Sequence, residues 1–190
     1  MDKYPEESFF ILSGAIRAID IMLTEYGPDG AWKEGTDYWE YATQYAIKLL
    51  SGVETIFGTC FSLDLCEGLS TTANFILYMQ SDQGIFNYGD AMPSSSYVPE
   101  LFYLSNKYND KAITSSLLEL NHGKMTDNED VVLSLLWYDT SIKEGSVSMP
   151  LDGVYWTEGV ASFRDAWTDG VTAYAAIHGG YTLGCHTQID

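Results

Sequence analysis

The residues of this chain with the most chemical character are gathered in one stretch, residues 29–45. It contains two Trp, three Tyr, two Glu and two Asp, whereas a helix with a purely structural role would carry mostly aliphatic side chains. Aromatic rings pack well against the C–H faces of sugars. Carboxyl and phenol groups can transfer protons to and from a bound substrate. This composition is typical of a carbohydrate-binding site.

A helix is predicted to begin inside this stretch. Thr36 or Asp37 can cap it by accepting a hydrogen bond from a free backbone N–H group. Tyr38, Tyr41 and Tyr45 then follow one another at spacings of three and four residues. Residues at these spacings share one face of a helix, so we expect the three tyrosines to lie side by side.

The aromatic residues of the stretch have two interpretations. Trp32 and Tyr41 can stack on sugar rings, and the sequence leaves their role open. Aromatic residues at helical spacing are more often part of a hydrophobic core. We therefore expect Trp39 and Tyr45 to be core residues.

Two pairs of polar residues also have a functional and a structural interpretation. Glu34 and Asp37 could serve as the acid and base of a glycoside hydrolase, but acidic residues at a helix start commonly complement the helix dipole. Asn87 and Asp90 lie on a predicted turn after a helix. Such residues usually bond to the local backbone, although they are also candidates for a substrate cleft.

Composition and charge limit the classes of partner. The chain has 190 residues, of which 46% are hydrophobic, so it can bury a core. Its net charge of −18 argues against binding to nucleic acid, which requires neutralisation of phosphates by Lys and Arg, and likewise against a membrane surface. A densely sulfated polysaccharide would also be repelled.

The cysteines and the N-terminal region carry no clear signal. Cys60, Cys66 and Cys185 match neither a disulfide framework nor a zinc-binding spacing. A Cys60–Cys66 bridge fits the sequence, but buried thiols are the commoner outcome. No signal peptide is predicted, and the apolar run 9–23 is too short and too charged to span a bilayer.

The hydrophobic periodicity predicts a helical part followed by a strand-rich part. Helices are expected at 5–26, 36–57, 69–80, 99–107, 111–120 and 127–137, and antiparallel strands at 154–157, 160–164 and 171–177. A domain boundary is therefore predicted between residues 1–139 and 140–190. Three strands do not close a β domain, so we expect the natural chain to continue.

Three motifs together resemble one known family. They are Asp29-Gly30-Ala31-Trp32-Lys33-Glu34-Gly35-Thr36-Asp37-Tyr38-Trp39-Glu40-Tyr41, then Phe86-Asn87-Tyr88-Gly89-Asp90, then Gly179-Gly180 with His186-Thr187-Gln188-Ile189-Asp190. In order and spacing they resemble the heparinase II/III family of polysaccharide lyases. The resemblance implies a mainly α fold, in which hairpins of an incomplete (α/α) toroid precede the first strands of an antiparallel β-sandwich.

The same resemblance implies catalytic roles for two residues. Tyr38 matches the family's catalytic tyrosine, and His186 matches the first histidine of a signature at the start of the β domain. The second histidine of that signature, a zinc ligand in some members, is replaced by Gln188. An amide is a poor zinc ligand, so no metal site is predicted.

By this resemblance the substrate is a uronate-containing polysaccharide or oligosaccharide, cleaved by β-elimination. A base removes the C5 proton while an acid protonates the oxygen leaving C4. The resemblance implies that Tyr38 acts at both ends of this elimination, and that His186 helps in proton transfer or in neutralising the uronate carboxylate. The substrate-binding candidates are Trp32, Glu34, Tyr41, Asn87 and Asp90. The family implies a periplasmic or secreted protein, of which this chain would be a fragment without activity of its own.

Two alternatives to the lyase remain open at this point. One is a glycoside hydrolase with a similar toroid, using Glu34 or Asp37 as acid or base. The other is a carbohydrate-binding relative without catalytic activity, which the replacement by Gln188 suggests.

Overall fold

The structure of the protein is a computed structural model, and it describes residues 3–81, 83–92, 98–122, 131–167 and 173–180. About half of the chain is helical, and the described residues form six α-helices and two small antiparallel sheets. The predicted mixture of helices followed by strands is therefore confirmed. Within these ranges, no helix combines the length and the apolar character needed to cross a membrane.

The helices follow the predicted order. They are α1 (Pro5–Leu23), α2 (Thr36–Phe57), α3 (Thr72–Tyr78), α4 (Glu100–Lys107), α5 (Lys111–Leu120) and α6 (Val131–Trp137), with 3-10 turns at Thr24–Tyr26 and Leu63–Leu65. The predicted bounds of α2 and α5 are confirmed. Helix α3 is shorter than predicted, and the first part of the sixth predicted helix lies outside the described residues.

The N-terminus of α2 differs from the prediction. Gly35, and not Thr36 or Asp37, occupies the capping position, with no side-chain hydrogen bond to the helix and with φ of +96°. The Asp37 carboxylate instead accepts a hydrogen bond from the backbone N–H of Met92, at 2.9 Å. The contact with a distant loop has therefore replaced the local cap that the sequence suggested.

The strands form two separate sheets. A short hairpin joins β1 (Gln80–Ser81) to β2 (Gly84–Ile85), and the larger sheet contains β3 (Gly153–Tyr155), β4 (Val160–Arg164) and β5 (Tyr174–His178) in that order. The predicted strand at 160–164 is confirmed. The last predicted strand is shifted towards the C-terminus in its described part, and residues 171–172 lie outside the description.

Helix α3 connects the helical part to the larger sheet. Its residues Phe75, Ile76 and Leu77 are fully buried. From the sheet side, the ring of Tyr155 lies 5.4 Å from that of Phe75, with the planes nearly perpendicular. One hydrophobic cluster therefore includes residues from both sides of position 139, and the division into two domains at 139 stays a prediction.

A buried hydroxyl joins three segments at the start of α3. The Thr72 hydroxyl accepts a hydrogen bond from the Trp39 indole N–H at 2.6 Å and donates one to the Gly30 carbonyl at 2.7 Å. Gly30 has φ of +89°, and a Cβ atom there would lie 2.6 Å from the Thr72 nitrogen. The loop before α2 is therefore held directly against α3.

Arg164 holds the larger sheet against the end of α3. Its guanidinium donates to the carbonyls of Tyr78 and Gln80, both at 3.0 Å, and lies 3.8 Å from the centre of the Trp167 ring. No carboxylate of a described residue pairs with it. Burial lowers the pKa of Arg164. Arg164 is therefore a structural residue, whose partners are backbone carbonyls and an aromatic ring.

Lys107 joins α2 and α4 to the loop that contains the two described cysteines. Its ammonium group lies 2.6 Å from a Glu54 carboxylate oxygen, 3.0 Å from one of Asp64 and 3.4 Å from the Cys60 sulfur. Cys60 and Cys66 are both free thiols, as expected. Cys185 lies outside the described residues.

We predict that Thr72→Val destabilises the fold more than Thr72→Ser does. Valine leaves the Trp39 N–H and the Gly30 carbonyl without their partner, at a cost of about 2–4 kcal/mol in the free energy of unfolding. Serine keeps the hydroxyl and loses only a methyl group, which costs about 1 kcal/mol. Urea unfolding followed by tryptophan fluorescence measures both values, and equal losses would contradict the role of the hydroxyl.

Arg164→Lys is expected to lower the free energy of unfolding by about 2 kcal/mol or more. Lysine keeps the charge but loses the planar group that bonds two carbonyls and stacks on Trp167. Arg17→Lys, at an exposed position of α1, is the matched control and should change stability by less than about 0.5 kcal/mol. A similar small effect at Arg164 would refute its structural role.

Candidate functional site

Two loops meet at the N-terminus of α2. One is the loop 29–35, which precedes α2, and the other is the loop 86–92, which follows β2. The backbone N–H of Asp90 donates to the Glu34 carbonyl at 3.1 Å. Two of the motifs on which the sequence resemblance rests are therefore in direct backbone contact.

Glycines make this contact close. Gly35 and Gly89 have φ of +96° and +64°, conformations in which a side chain is strained. A Cβ atom at Gly35 would lie 2.3 Å from the Tyr88 carbonyl oxygen, and one at Gly89 would lie 2.7 Å from that of Glu34. Only glycine at both positions allows the two loops to approach this far.

Tyr38 is the central side chain of the site. It lies in the first turn of α2 with 37% of its surface exposed, and its phenol donates a hydrogen bond to the Asp90 carboxylate. The charge of Asp90 and this hydrogen bond raise the pKa of Tyr38, and Glu34 adds to the effect. The structure therefore brings together three of the residues that the sequence nominated.

The raised pKa determines the direction of proton transfer. A tyrosine beside a carboxylate stays protonated at neutral pH, because a phenolate there would face a like charge. In this arrangement Tyr38 can donate a proton to a substrate oxygen. To act as a base, Tyr38 would need a neighbouring positive charge. The resemblance suggests His186 as this neighbour, and His186 lies outside the described residues.

The aromatic candidates differ in their access to solvent. Trp32 is only 6% exposed, and its ring lies 5.1 Å from that of Tyr26, so it has no open face for a sugar ring. Tyr41 is 60% exposed and remains available for stacking. Trp39 is buried as expected, but Tyr45 is 56% exposed, so its assignment to the core is wrong.

Tyr45 is exposed because of the orientation of α2. Tyr41 and Tyr45 lie on the face that points to solvent, where their rings pack edge to face at 5.3 Å. Core positions of α2 are filled instead by Ala46, Ile47 and Leu50. The shared face of the tyrosines is confirmed, but this face is a surface.

His178, which the sequence did not indicate as a site residue, contacts the loop 86–92. The ring of His178, at the end of β5, lies 4.5 Å from the ring of Tyr88. Burial lowers the pKa of His178, and a hydrogen bond with the backbone of Glu158 opposes the shift. The Tyr88 hydroxyl donates to the Trp32 carbonyl. His178 therefore links the larger sheet to the loop 86–92, and Tyr88 in turn bonds to the loop 29–35.

A signal for His178 was present in the sequence. It directly precedes Gly179-Gly180, which belongs to the third motif, and follows the predicted strand. Its neighbour Glu158, which lies on the turn between β3 and β4, is also buried, and this burial raises the pKa of its carboxyl group. Neither residue could be assigned to the site before the sheet was known to pack beside the loop 86–92.

The described residues contain no group of three or more His, Cys, Asp or Glu side chains arranged to hold a metal ion. Gln188 and Asp190, on which the question of zinc depends, lie outside the description.

Comparison with models of known protein families and with curated proteins gave no match to this chain.

We predict that Asp90→Asn lowers the pKa of Tyr38. The amide can still accept the phenol hydrogen bond, but the negative charge that opposes the phenolate is gone. Titration of tyrosines labelled with ¹³C at Cζ, followed by NMR, gives the pKa, and Tyr38→Phe assigns the signal.

Asp37→Asn is the matched control for this titration. Asp37 lies next to Tyr38 in the chain but bonds to the backbone of Met92. We expect the Tyr38 titration to stay close to that of the unsubstituted protein. An unchanged pKa in Asp90→Asn would show that Asp90 does not govern the protonation of Tyr38.

Proposed function

We propose that this chain is part of a polysaccharide lyase of the heparinase II/III type, which cleaves a uronate-containing polysaccharide by β-elimination. The single observation that carries the proposal is the hydrogen bond between Tyr38 and Asp90. It joins two residues that are 52 positions apart in the sequence and that lie in motifs which the resemblance assigns to one active site.

The order of the elements supports the proposal. Helices α4 and α5 are joined by only three residues, 108–110, and pack against each other, as in an antiparallel helical hairpin. The sheet of β3, β4 and β5 follows the helices and is entirely antiparallel. We infer that the helices belong to an (α/α) toroid and that the strands begin a β-sandwich.

The reaction requires one group that takes a proton and one that gives a proton. A base removes the C5 proton of the uronate, the electron pair forms the C4–C5 double bond, and the C4–O bond breaks. The protonated Tyr38 phenol gives its proton to the leaving oxygen, which departs as a hydroxyl group. In this proposal His186 is the base.

After Tyr38 has donated its proton, a phenolate remains, and it must regain a proton before the next cycle. It would stand beside the Asp90 carboxylate, where its high pKa drives rapid recapture of a proton. A proton taken from C5 by the base, or one from water, restores the phenol for the next cycle. The Asp90 carboxylate thus favours the return of Tyr38 to its protonated form.

Charge at the site favours particular substrates. Glu34 and Asp90 both act on Tyr38 electrostatically, and the whole chain carries a net charge of −18. A polymer of uronate and neutral sugars meets less repulsion than a densely sulfated one. We therefore propose an unsulfated or sparsely sulfated uronate polymer as the substrate.

A glycoside hydrolase is the second candidate, because two carboxylates, those of Glu34 and Asp90, act on the exposed phenol. Glu34 is half-buried and Asp90 is exposed, and such a pair can provide an acid and a base. Asp37, the other residue nominated for this chemistry, is engaged with the backbone of Met92. The lyase is favoured because a hydrolase gives no role to the Tyr38 phenol.

We predict that the product of the complete reading frame converts an unsulfated uronate polymer into fragments with the ultraviolet absorbance of an unsaturated sugar. Tyr38→Phe should lower this rate by about 100-fold or more, the usual contribution of a general acid. Tyr45→Phe, on the same helix face but without a role in the site, is the control and should keep the rate.

The product distinguishes the candidates. Reducing ends released without ultraviolet absorbance would overturn the lyase in favour of a hydrolase. Binding of the polymer without any turnover would overturn both enzymes in favour of a carbohydrate-binding relative.

A further inference from the structure

An exposed row of side chains runs along α2 from the candidate site. This α2 row consists of Tyr38, Tyr41, Tyr45 and Lys48, which are spaced by three, four and three residues and are all exposed. Residues at these spacings share one face of a helix, so the row begins at Tyr38 and continues along the solvent side of α2. From Tyr38 to Tyr45 it covers about 10 Å along the helix axis, a length that a short oligosaccharide spans.

The members of the α2 row beyond Tyr38 contact one another. The rings of Tyr41 and Tyr45 pack edge to face, with their centres 5.3 Å apart. The Lys48 ammonium lies over the Tyr45 ring, 5.7 Å from its centre, and donates a hydrogen bond to the side-chain oxygen of Gln44 at 2.9 Å. These two contacts hold the ammonium group in place before a ligand arrives. Because the contacts of Tyr45 involve its ring alone, phenylalanine at position 45 would keep them.

Lys48 is the one basic residue of α2, and its ammonium group has room for a ligand. Lys33 and Lys107 are committed to carboxylates, whereas Lys48 contacts an amide oxygen and a ring. An ammonium group has three N–H donors, and the bond to Gln44 uses one of them. Within the part of the chain that the structure describes, the other donors of Lys48 remain available to an acceptor from outside.

The two ends of the α2 row differ in charge. At the Tyr38 end, the carboxylates of Glu34 and Asp90 act on the phenol, so a further anionic group is repelled there. At the other end, Lys48 attracts an anion, in a chain that has 27 acidic and only 9 basic residues. A ligand with several carboxylates is therefore held most favourably with one of them at Lys48.

Tyr41 lies between these ends and suits the ring of a sugar. Its side chain is exposed, and an aromatic ring packs well on the C–H face of a pyranose. A sugar chain that starts at Tyr38 and reaches Lys48 therefore passes over an aromatic surface on its way to a positive charge.

We propose that the α2 row is a second binding subsite of the enzyme. In this subsite Tyr41 stacks on a sugar unit, and Lys48 binds the carboxylate of a uronate other than the one that reacts at Tyr38. The inference rests on the proposed function for the reaction at Tyr38. The ligand of Lys48 is a carboxylate, which forms a charge-assisted hydrogen bond with an ammonium group.

The subsite also selects substrates by length. A disaccharide held at Tyr38 is too short to place a second uronate at Lys48, whereas a longer chain makes both contacts. Because Gln44 and Tyr45 already hold the ammonium group, less conformational entropy is lost when the ligand binds. The subsite therefore favours long chains over the short products of the reaction.

Calorimetry on the product of the complete reading frame carrying Tyr38→Phe measures binding without consuming the ligand. The probes are two unsulfated hexasaccharides, one of alternating uronate and N-acetylhexosamine and one of uronate alone, each as the free acid and as the methyl ester. We expect one of the acids to bind, and Lys48→Gln to weaken this binding about threefold, the size of an exposed ion pair. Binding of the corresponding ester should not change, and Lys48→Arg should keep most of the affinity.

Tyr41→Ala tests the aromatic part of the subsite. It should weaken the binding of acid and ester alike, by about fivefold, because stacking does not depend on the carboxylate. Tyr41→Phe retains the ring and should keep the affinity. Unchanged binding in Tyr41→Ala would overturn the role of this ring.

Lys143→Gln is the matched control for charge, since it removes a lysine from an exposed position outside α2. We expect it to leave the Kd unchanged. The inference would be overturned by an equal loss in Lys48→Gln and Lys143→Gln, by a loss in Lys48→Gln that is the same for acid and ester, by unchanged binding in Lys48→Gln, or by no binding of either acid.

The proposed function is judged separately, by the ultraviolet assay with Tyr38 present. Binding of the acid that depends on Lys48, in a protein that cleaves no uronate polymer, would sustain the subsite and refute the lyase. Cleavage with the same KM in Lys48→Gln as in the unsubstituted protein would sustain the lyase and refute the subsite.

Discussion

The hydroxyl of Thr72 is the interaction on which the rest of the structure depends. It joins the Trp39 indole of α2 to the Gly30 carbonyl of the preceding loop, and both partners are buried. Because Thr72 begins α3, and α3 also supports the larger sheet through Phe75 and Arg164, one point in the core sets the positions of the loop 29–35, of α2 and of the strands. The first turn of α2, and Tyr38 with it, is thereby fixed relative to everything else.

Much of this arrangement could be predicted from the sequence, because it depends on local patterns. Helical periodicity gave the bounds of α2 and α5, and Gly58 ends α2 in the left-handed conformation that glycine adopts without strain. The features that could not be predicted depend on contacts between distant segments. Arg164 is an example: its sequence neighbours suggest an exposed strand residue, but the carbonyls at the end of α3 hold it in the core.

In the candidate site, too, local features could be predicted and contacts between distant segments could not. Glu34 and Asp90 could be nominated from residue types, and Tyr38 from the family resemblance, whereas the bond between Tyr38 and Asp90 required the meeting of two loops. Tyr45 was misassigned because helical spacing specifies a shared face without specifying whether that face is buried. His178 was missed because its place beside Tyr88 depends on the packing of β5 against the loop 86–92. Proton transfer at Tyr38 is thus governed by a carboxylate that lies far from it in the sequence.

The glycines at positions 35 and 89 make the contact between the two loops independent of most side chains. They let the two loops meet through backbone atoms, which are common to all amino acids. This backbone contact does not depend on the identity of an exposed side chain such as that of Asn87. Substitution at Asn87 can therefore change the chemical character of the surface beside Tyr38 while the two loops keep their geometry.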